Sequence, residues 1–289
     1  MKVFYHNADL DGICSAAIIY QNNQGKPCDF YGINYGDIFP WDDIKPLPSG
    51  QKELVYMVDF SLPINGMIKL ANVCDLIWVD HHDTAIKAAK ENTIPLTSLA
   101  MVLNNDKAGC ELTWEYIHGG AEMPMAIYYL GRWDIWKWKD IPNCKSFQMG
   151  MRELGLKYNS PIWELLFNDG KGRTSAFSDI VKSGETIERY TNTQNANRCK
   201  YGAFPTTFHN LKAICLNGGG GSQLFDSIYN ETDYDIMIAF QMNKDKKWTV
   251  SLYSTKLEIH CGEIAKLYGG GGHKGAAGFI SNNLLFLEG

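Results

Sequence analysis

Three short runs rich in branched and aromatic residues, Met1–Tyr5, Glu53–Val58 and Asp75–Val79, each give way at once to acidic or imidazole side chains. The first is followed by His6, Asp9 and Asp11, the second by Asp59, and the third by Asp80, His81 and His82. Runs of this length and composition read as strands, and helical stretches alternate with them at Gly12–Tyr20, Ile64–Ala71 and about Thr84–Glu91. Such alternation builds βαβ units, so the expected architecture is α/β, a parallel sheet with helices on both faces. Ligands of an open parallel sheet collect in the crevice past the carboxyl ends of its strands. The three clusters therefore belong to one rim.

Beyond this part the pattern changes twice. From about Gly109 to Tyr190 it is mainly helical, through CELTWEYIH, MAIYYLGRW, FQMGMREL and IVKSGETIERY. From Leu211 strands return: LKAICL, then a glycine loop at Gly218–Gly221, a helix expected over SQLFDSIYN, and the strands IMIAFQM and WTVSLYS around the turn NKDKK. The tail GEIAKLYGGGGHKGAAGF reads as a helix entering a glycine run and then a closing strand. The expected division is a first α/β domain over residues 1–155, a helical connector over 156–195 and a smaller α/β domain over 196–289.

Charge narrows the partners. The net charge is −5, which disfavours a broad basic face for gripping long nucleic acid, although a small anionic substrate remains compatible where metal ions supply positive charge. No apolar run approaches the roughly 20 residues that span a bilayer, and the N-terminus reads as a strand, not a signal peptide. The eight cysteines are scattered with no C-x-x-C pair, which fits a reducing cytoplasm without disulfides.

The residue types at the rim select a chemistry. Carboxylates and imidazoles without thiolate suit a divalent ion such as Mn²⁺, with Mg²⁺ or Co²⁺ as alternatives. So many carboxylates together repel one another unless cations neutralise them, and two ions bridged by a carboxylate match the count. Taken singly, the same residues have ordinary explanations. Asp9 and Asp11 stand where helix-capping residues stand, and His6 alone would read as a structural hydrogen-bonding residue. Their arrival on neighbouring strand ends is what favours a metal centre.

HNADLDG, VDFS, VDHH and GRWD, in that order, resemble the four motifs of the DHH phosphoesterases, and GGGGHKGAAGF resembles the signature of their DHHA1 substrate-binding domain. The resemblance runs from residue 6 to 279 and is closest to nanoRNase-type oligoribonucleases and related small-nucleotide phosphodiesterases. It implies a two-domain enzyme in which His6 and Asp9 hold one metal ion, Asp11, His81 and Asp134 hold a second, and Asp59 bridges them. Asp80 would orient its neighbours, His82 would bind the scissile phosphate or assist the leaving group, and water activated between the ions would attack. Gly270, Gly271, Gly272 and His273 would receive the far end of the substrate and limit its length, with Lys274 adding charge.

The resemblance is not complete. The first motif is H-x-x-D-x-D, one residue shorter than the common form, and Tyr253 stands in SLYS where an arginine is frequent. Tyr253 stacks on a base or donates a hydrogen bond in one reading and is an ordinary strand aromatic in the other. Arg132 contacts phosphate or pairs with a neighbouring carboxylate; Trp133, Trp136 and Trp138 stack on bases or, for at least two of them, pack.

The expected partner is a short oligonucleotide or small nucleotide, cleaved to nucleoside 5′-monophosphates, with no long duplex, no membrane, and a homodimer compatible with the class. Rival readings are a cyclic mono- or dinucleotide phosphodiesterase, a 3′-phosphoadenosine phosphatase, and a nucleotide-sensing module without turnover.

Overall fold

The computed structural model describes residues 1–23, 25–44, 50–92, 99–169 and 174–287. The chain forms two compact units, Met1–Ile187 and Glu188–Gly289. In the first, β1 (Lys2–His6), β2 (Asp29–Ile33), β3 (Glu53–Val58), β4 (Cys74–Asp80) and β5 (Leu99–Leu103) make one sheet in the order β2-β1-β3-β4-β5. Every pairing is parallel.

Alternate residues of each strand serve opposite faces, as the pleat requires. Phe4, Val55, Met57, Leu76 and Trp78 bury against Met67, Leu70 and Ala71 of α2 (Ile64–Val73) and Ala85 of α3 (Asp83–Glu91). Val3, Tyr5, Val58, Ile77 and Val79 face the other way, onto Ala16 and Ile19 of α1 (Leu10–Asn22) and Leu112 of α4 (Gly109–His118). Helices thus cover both faces, as expected. The outer side of α1 and α4 packs against α5 (Met125–Asp134), α6 (Cys144–Glu153), α7 (Ile162–Phe167) and the start of α8 (Ser175–Gly202), around Trp163, Phe147 and Ile127.

The second unit has a six-stranded sheet in the order β10-β11-β9-β8-β7-β6, in which only β7 and β8 run parallel. Its strands are β6 (Ala203–Phe208), β7 (Leu211–Asn217), β8 (Ile236–Met242), β9 (Trp248–Tyr253), β10 (Gly271–Gly272) and β11 (Ala276–Ser281). One face buries Ile236, Ile238 and Phe240 with Ala265 of the short α9 (Cys261–Lys266); the other buries Met237 and Ala239 with Cys199, Leu224 and Phe225.

The helix expected over SQLFDSIYN is instead a single 3-10 turn at Ser222–Phe225. Leu224 and Phe225 supply its apolar contact, and Asn230 then turns the chain by accepting from the Thr232 and Asp233 amides. The Gly218–Gly221 loop therefore does not open a helix. All eight cysteines are unpaired thiols, and among the described residues no helix is long and apolar enough to cross a membrane.

Candidate active site

From β1 the chain winds outward to β2, then returns past β1 to β3 and continues to β4 and β5. The winding reverses between β1 and β3, and a crevice opens at the carboxyl end of a sheet where this happens. His6 is the last residue of β1, Asp59 follows β3 directly, and Asp80 ends β4. The topology delivers all three clusters to that crevice.

Two groups of three ligand atoms lie there, His6–Asp9–Asp59 and Asp11–His81–Asp134, each within a span that one ion can fill. Asp59 ties them together. Its Oδ1 is 3.1 Å from His81 Nε2, and its Oδ2 is 3.8 Å from His6 Nδ1. His81 Nε2 is also 3.6 Å from Asp11 Oδ2 and 3.3 Å from Asp134 Oδ2. His6, despite its shorter spacing, sits 2.8 Å from Asp9 Oδ2. A third group, Asp59–His81–His82, takes one residue from each and adds His82.

Local structure explains how the ligands are aimed. Asp9 is the N-cap of α1, its Oδ1 accepting from the Gly12 amide at 3.0 Å while Oδ2 turns to His6. The capping role and the ligand role thus coexist on one carboxylate. Gly12 is needed because a Cβ there would stand 2.1 Å from the His6 carbonyl oxygen.

Asp11, 98 residues from its partner in the chain, accepts from the Gly109 and Cys110 amides at 2.7 Å each. These are the orphan donors at the N-terminus of α4, where the helix dipole also favours a carboxylate. A Cβ on Gly109 would lie 2.6 Å from that of Asp59, so glycine lets the helix end come this close. Neither the amides nor the glycine stands out in the sequence, because CELTWEYIH reads only as a helix.

The DHH loop hangs on Asp80, which is fully buried. Asp80 Oδ1 accepts from the His81 amide (2.7 Å), the His82 amide (3.0 Å) and His82 Nδ1 (2.6 Å). Its other oxygen accepts from Ser61 Oγ, which in turn accepts from Trp78 Nε1 at 2.8 Å. Ser61 ends the VDFS motif and Trp78 directly precedes VDHH, but nothing in the sequence says that they meet. Arg132 pairs with Glu111, whose carboxylate also accepts from the Ala108 amide at 3.0 Å. The ion-pair reading of Arg132 is the one the geometry realises.

Groups packed this closely shift one another's titration. Burial, and then the charges of Asp11 and Asp9, push the Asp59 carboxyl well above its ordinary range; burial and the same neighbours do so for Asp134. Burial also lowers His81. Burial opposes ionisation of Asp9 and Asp80 too, but their polar contacts, led by His6 for Asp9 and His82 for Asp80, outweigh it and hold both carboxyls below their usual value. His82 moves the other way: burial lowers it, and the bond and charge of Asp80 more than restore it, so its imidazole titrates above the ordinary value. His6 Nδ1 and Asp59 Oδ1 are buried and meet Asp9 Oδ2 and His81 Nε2 at ion-pair distance, with no hydrogen bond of good geometry to either atom among the described residues. A divalent ion supplies what both atoms lack, so the donor set fits the group.

In the second unit the tail glycines have structural work. A Cβ on Gly270 would meet the Gly278 carbonyl oxygen at 2.1 Å, and Gly272 is left-handed with φ 141°. Gly271 has open space, and His273 and Lys274 are exposed. Tyr253 donates from its hydroxyl to the Gly220 carbonyl at 2.9 Å and packs against the core formed by Leu224, Phe225, Met237 and Ala239. Trp133 and Trp138 stack on each other with centroids 4.6 Å apart, and Trp136 alone of the three is largely exposed.

A parallel sheet with an Asp/His cluster at its switch point, followed by a mixed sheet closed by a glycine–histidine hairpin, defines a class of two-unit phosphoesterases. The chain matches the DHH family N-terminal domain over residues 2–131 and the DHHA1 domain over residues 213–288. It belongs to the DHH/DHHA1 phosphoesterase family, whose members depend on metal ions. It is 26% identical to uncharacterized protein R106 of Acanthamoeba polyphaga mimivirus, across 98% of this chain and 68% of that protein. Among solved structures it is similar to the pGpG-specific phosphodiesterase PggH from Vibrio cholerae, with TM-score 0.51, 13% identity, and 97% and 92% of the two chains covered. A DHH-domain protein described as a member of the s1p family of ribosomal proteins gives TM-score 0.61 at 13% identity, covering 97% of this chain and 82% of that one. At these identities the likeness is one of fold.

Proposed function

We propose that this protein is a two-metal phosphodiesterase that cleaves short oligoribonucleotides or linear dinucleotides to nucleoside 5′-monophosphates. The observation that carries the reading is the pair of ligand triads joined through Asp59 at the switch point. His6, Asp9 and Asp59 would hold one ion, and Asp11, His81, Asp134 and Asp59 the other. Mn²⁺ is the expected ion for this set. When bound, the two ions neutralise the phosphate and lower the pKa of the attacking water.

The side chains divide the remaining work. Asp80 Oδ1 accepts from Nδ1 of His82 and favours the imidazolium, the form in which Nε2 is a donor as well. His82 would hydrogen-bond a phosphate oxygen and then pass its proton to the departing 3′-oxygen as the P–O bond breaks. Asp80 is a positioning residue, fixing both histidines through one oxygen. The fold of PggH, a protein described as acting on pGpG, supports a dinucleotide as the first substrate to try.

The test offers purified protein with Mn²⁺ to pGpG, RNA of two to five nucleotides, long RNA, 3′-phosphoadenosine 5′-phosphate, cyclic dinucleotides and cyclic AMP, with products separated by chromatography. Metal-dependent release of 5′-monophosphates from the shortest chains is expected. Preference for the bisphosphate or a cyclic nucleotide overturns the substrate, and no hydrolysis of any of them overturns the enzyme.

A further inference from the structure

Tyr35 stands at the edge of the ligand cluster and has no part in either triad. It follows β2, the strand beside β1, in a turn where the Asn34 amide donates to Asp37 Oδ2 at 2.8 Å and the Asp37 amide donates to the Asn34 carbonyl at 3.0 Å. Gly36, at φ 101°, takes the left-handed conformation the turn needs. The ring is thereby presented at the carboxyl rim of the sheet by a hydrogen-bonded turn.

Its inner side is packed. The ring centroid is 4.8 Å from that of Phe60, itself buried, 5.6 Å from that of His6 and 6.1 Å from that of His82, the last edge-on. Yet Tyr35 is 57% exposed. A tyrosine kept only for packing turns its apolar body inward and leaves its hydroxyl wet. Here more than half of the residue is open beside two histidines that face a phosphate site. Such an arrangement is a stacking platform, because every base offers a π-face and an aromatic ring fixed from behind loses little entropy on binding.

We infer that Tyr35 is a specificity-determining contact that stacks on the nucleobase one sugar away from the phosphate held at His82, beside the His6–Asp9–Asp59 triad. The inference rests on the nucleotide phosphodiesterase reading and deepens it. A contact of this kind ignores base identity but separates nucleotides from phosphates that carry no base, such as pyrophosphate, polyphosphate or sugar phosphates.

The experiment measures binding of phosphorothioate-linked pApA, and of the same compound made abasic at either residue, by calorimetric titration in Mn²⁺. Wild type, Y35F, Y35L and Y35A are compared, with turnover of ordinary pApA followed in parallel and melting curves run on each protein. The expected result is a loss of affinity of roughly 5- to 100-fold in Y35A and Y35L, the range for losing one stacked base, with Y35F close to wild type. On one of the two abasic compounds all four proteins should bind alike. Equal losses on both abasic compounds would mean that the ring merely props the histidines and would overturn the inference, as would a Y35F defect as large as that of Y35A, or no loss at all. Failure of the enzymatic reading shows separately, as wild type that binds pApA without cleaving it.

Discussion

Backbone and side chain make competing demands at Asp59. The residue is left-handed, with φ 52°, in a region that Asp and Asn tolerate best among side-chain-bearing residues. Its carboxylate is buried among Asp11, Asp9, Asp134 and Asp80, whose charges raise its pKa further. A folded-state pKa above the unfolded value means that the folded protein holds the proton more tightly. This contribution to stability is therefore present at low pH and lost as pH rises past the ordinary carboxyl value of about 4. Asp9 and Asp80, both lowered, carry the opposite slope, so total stability against pH does not isolate Asp59.

Asp59→Asn does isolate it. Asparagine keeps the shape and the left-handed conformation while removing the charge. In chelator, D59N is expected to melt above wild type by several degrees at pH 7.5, at roughly 2–4 °C per kcal/mol for a unit of this size, with the difference shrinking toward pH 5. The same substitution should cut turnover by at least about 10³-fold, since it removes the shared ligand. Melting curves with and without Mn²⁺ provide a second reading. The metal-induced rise in Tm of wild type should grow from pH 5 to 7.5, because the ions displace protons from Asp59 and Asp134. A rise that is flat with pH would mean that these carboxyls are already ionised without metal. That Asp59 lies at the rim is legible in VDFS; that Ser61, two residues on, buttresses Asp80 is not, because the contact crosses from one strand end to the next.

Elements decide how close the ligands come. The N-terminus of α4 grips Asp11 with two amides, and Gly109 allows it to lie against Asp59. On helix propensity alone, Gly109→Ala should stabilise by about 1 kcal/mol. The added Cβ, 2.6 Å from that of Asp59, drives the opposite result. G109A is expected to weaken Mn²⁺ binding by at least about tenfold and to lower Tm, measured by calorimetric titration and thermal melts; unchanged binding with a raised Tm would show that the helix end yields freely. The parallel core strands were legible because β3 and β4, buried on both faces, are nearly continuous apolar runs. The edge strands β2 and β5 were not. DFYGI buries only Ile33 fully, so its pattern resembles a loop. SQLFDSIYN misled for the converse reason: its apolar spacing fits a helix, but the Asn230 turn ends the structure after one 3-10 turn.

At the scale of the whole molecule, charge sets a limit that no single residue shows. The chain carries 27 Lys and Arg against 32 Asp and Glu, and seven acidic or imidazole side chains, His6, Asp9, Asp11, Asp59, His81, His82 and Asp134, converge on one crevice. A long polyanion gains from basic partners along its length, each worth a counterion released, with a slope of about −0.7 per phosphate for single strands. On the two-ion reading, an acidic protein would neutralise the phosphate at the site and few others. The logarithm of kcat/KM for a dinucleotide against the logarithm of salt concentration should therefore be no steeper than about −1.4, equivalent to two phosphates. Extending the RNA from two nucleotides to about 24 should add nothing to affinity through electrostatics and should lower kcat/KM by at least about 100-fold, since a chain of net charge −5 repels each added phosphate. Steady-state kinetics at 50 to 500 mM KCl on the two substrates make the comparison. A slope steeper than about −3, or equal efficiency on both lengths, would indicate an extended basic track and a processive nuclease in place of an enzyme for the last, shortest fragments.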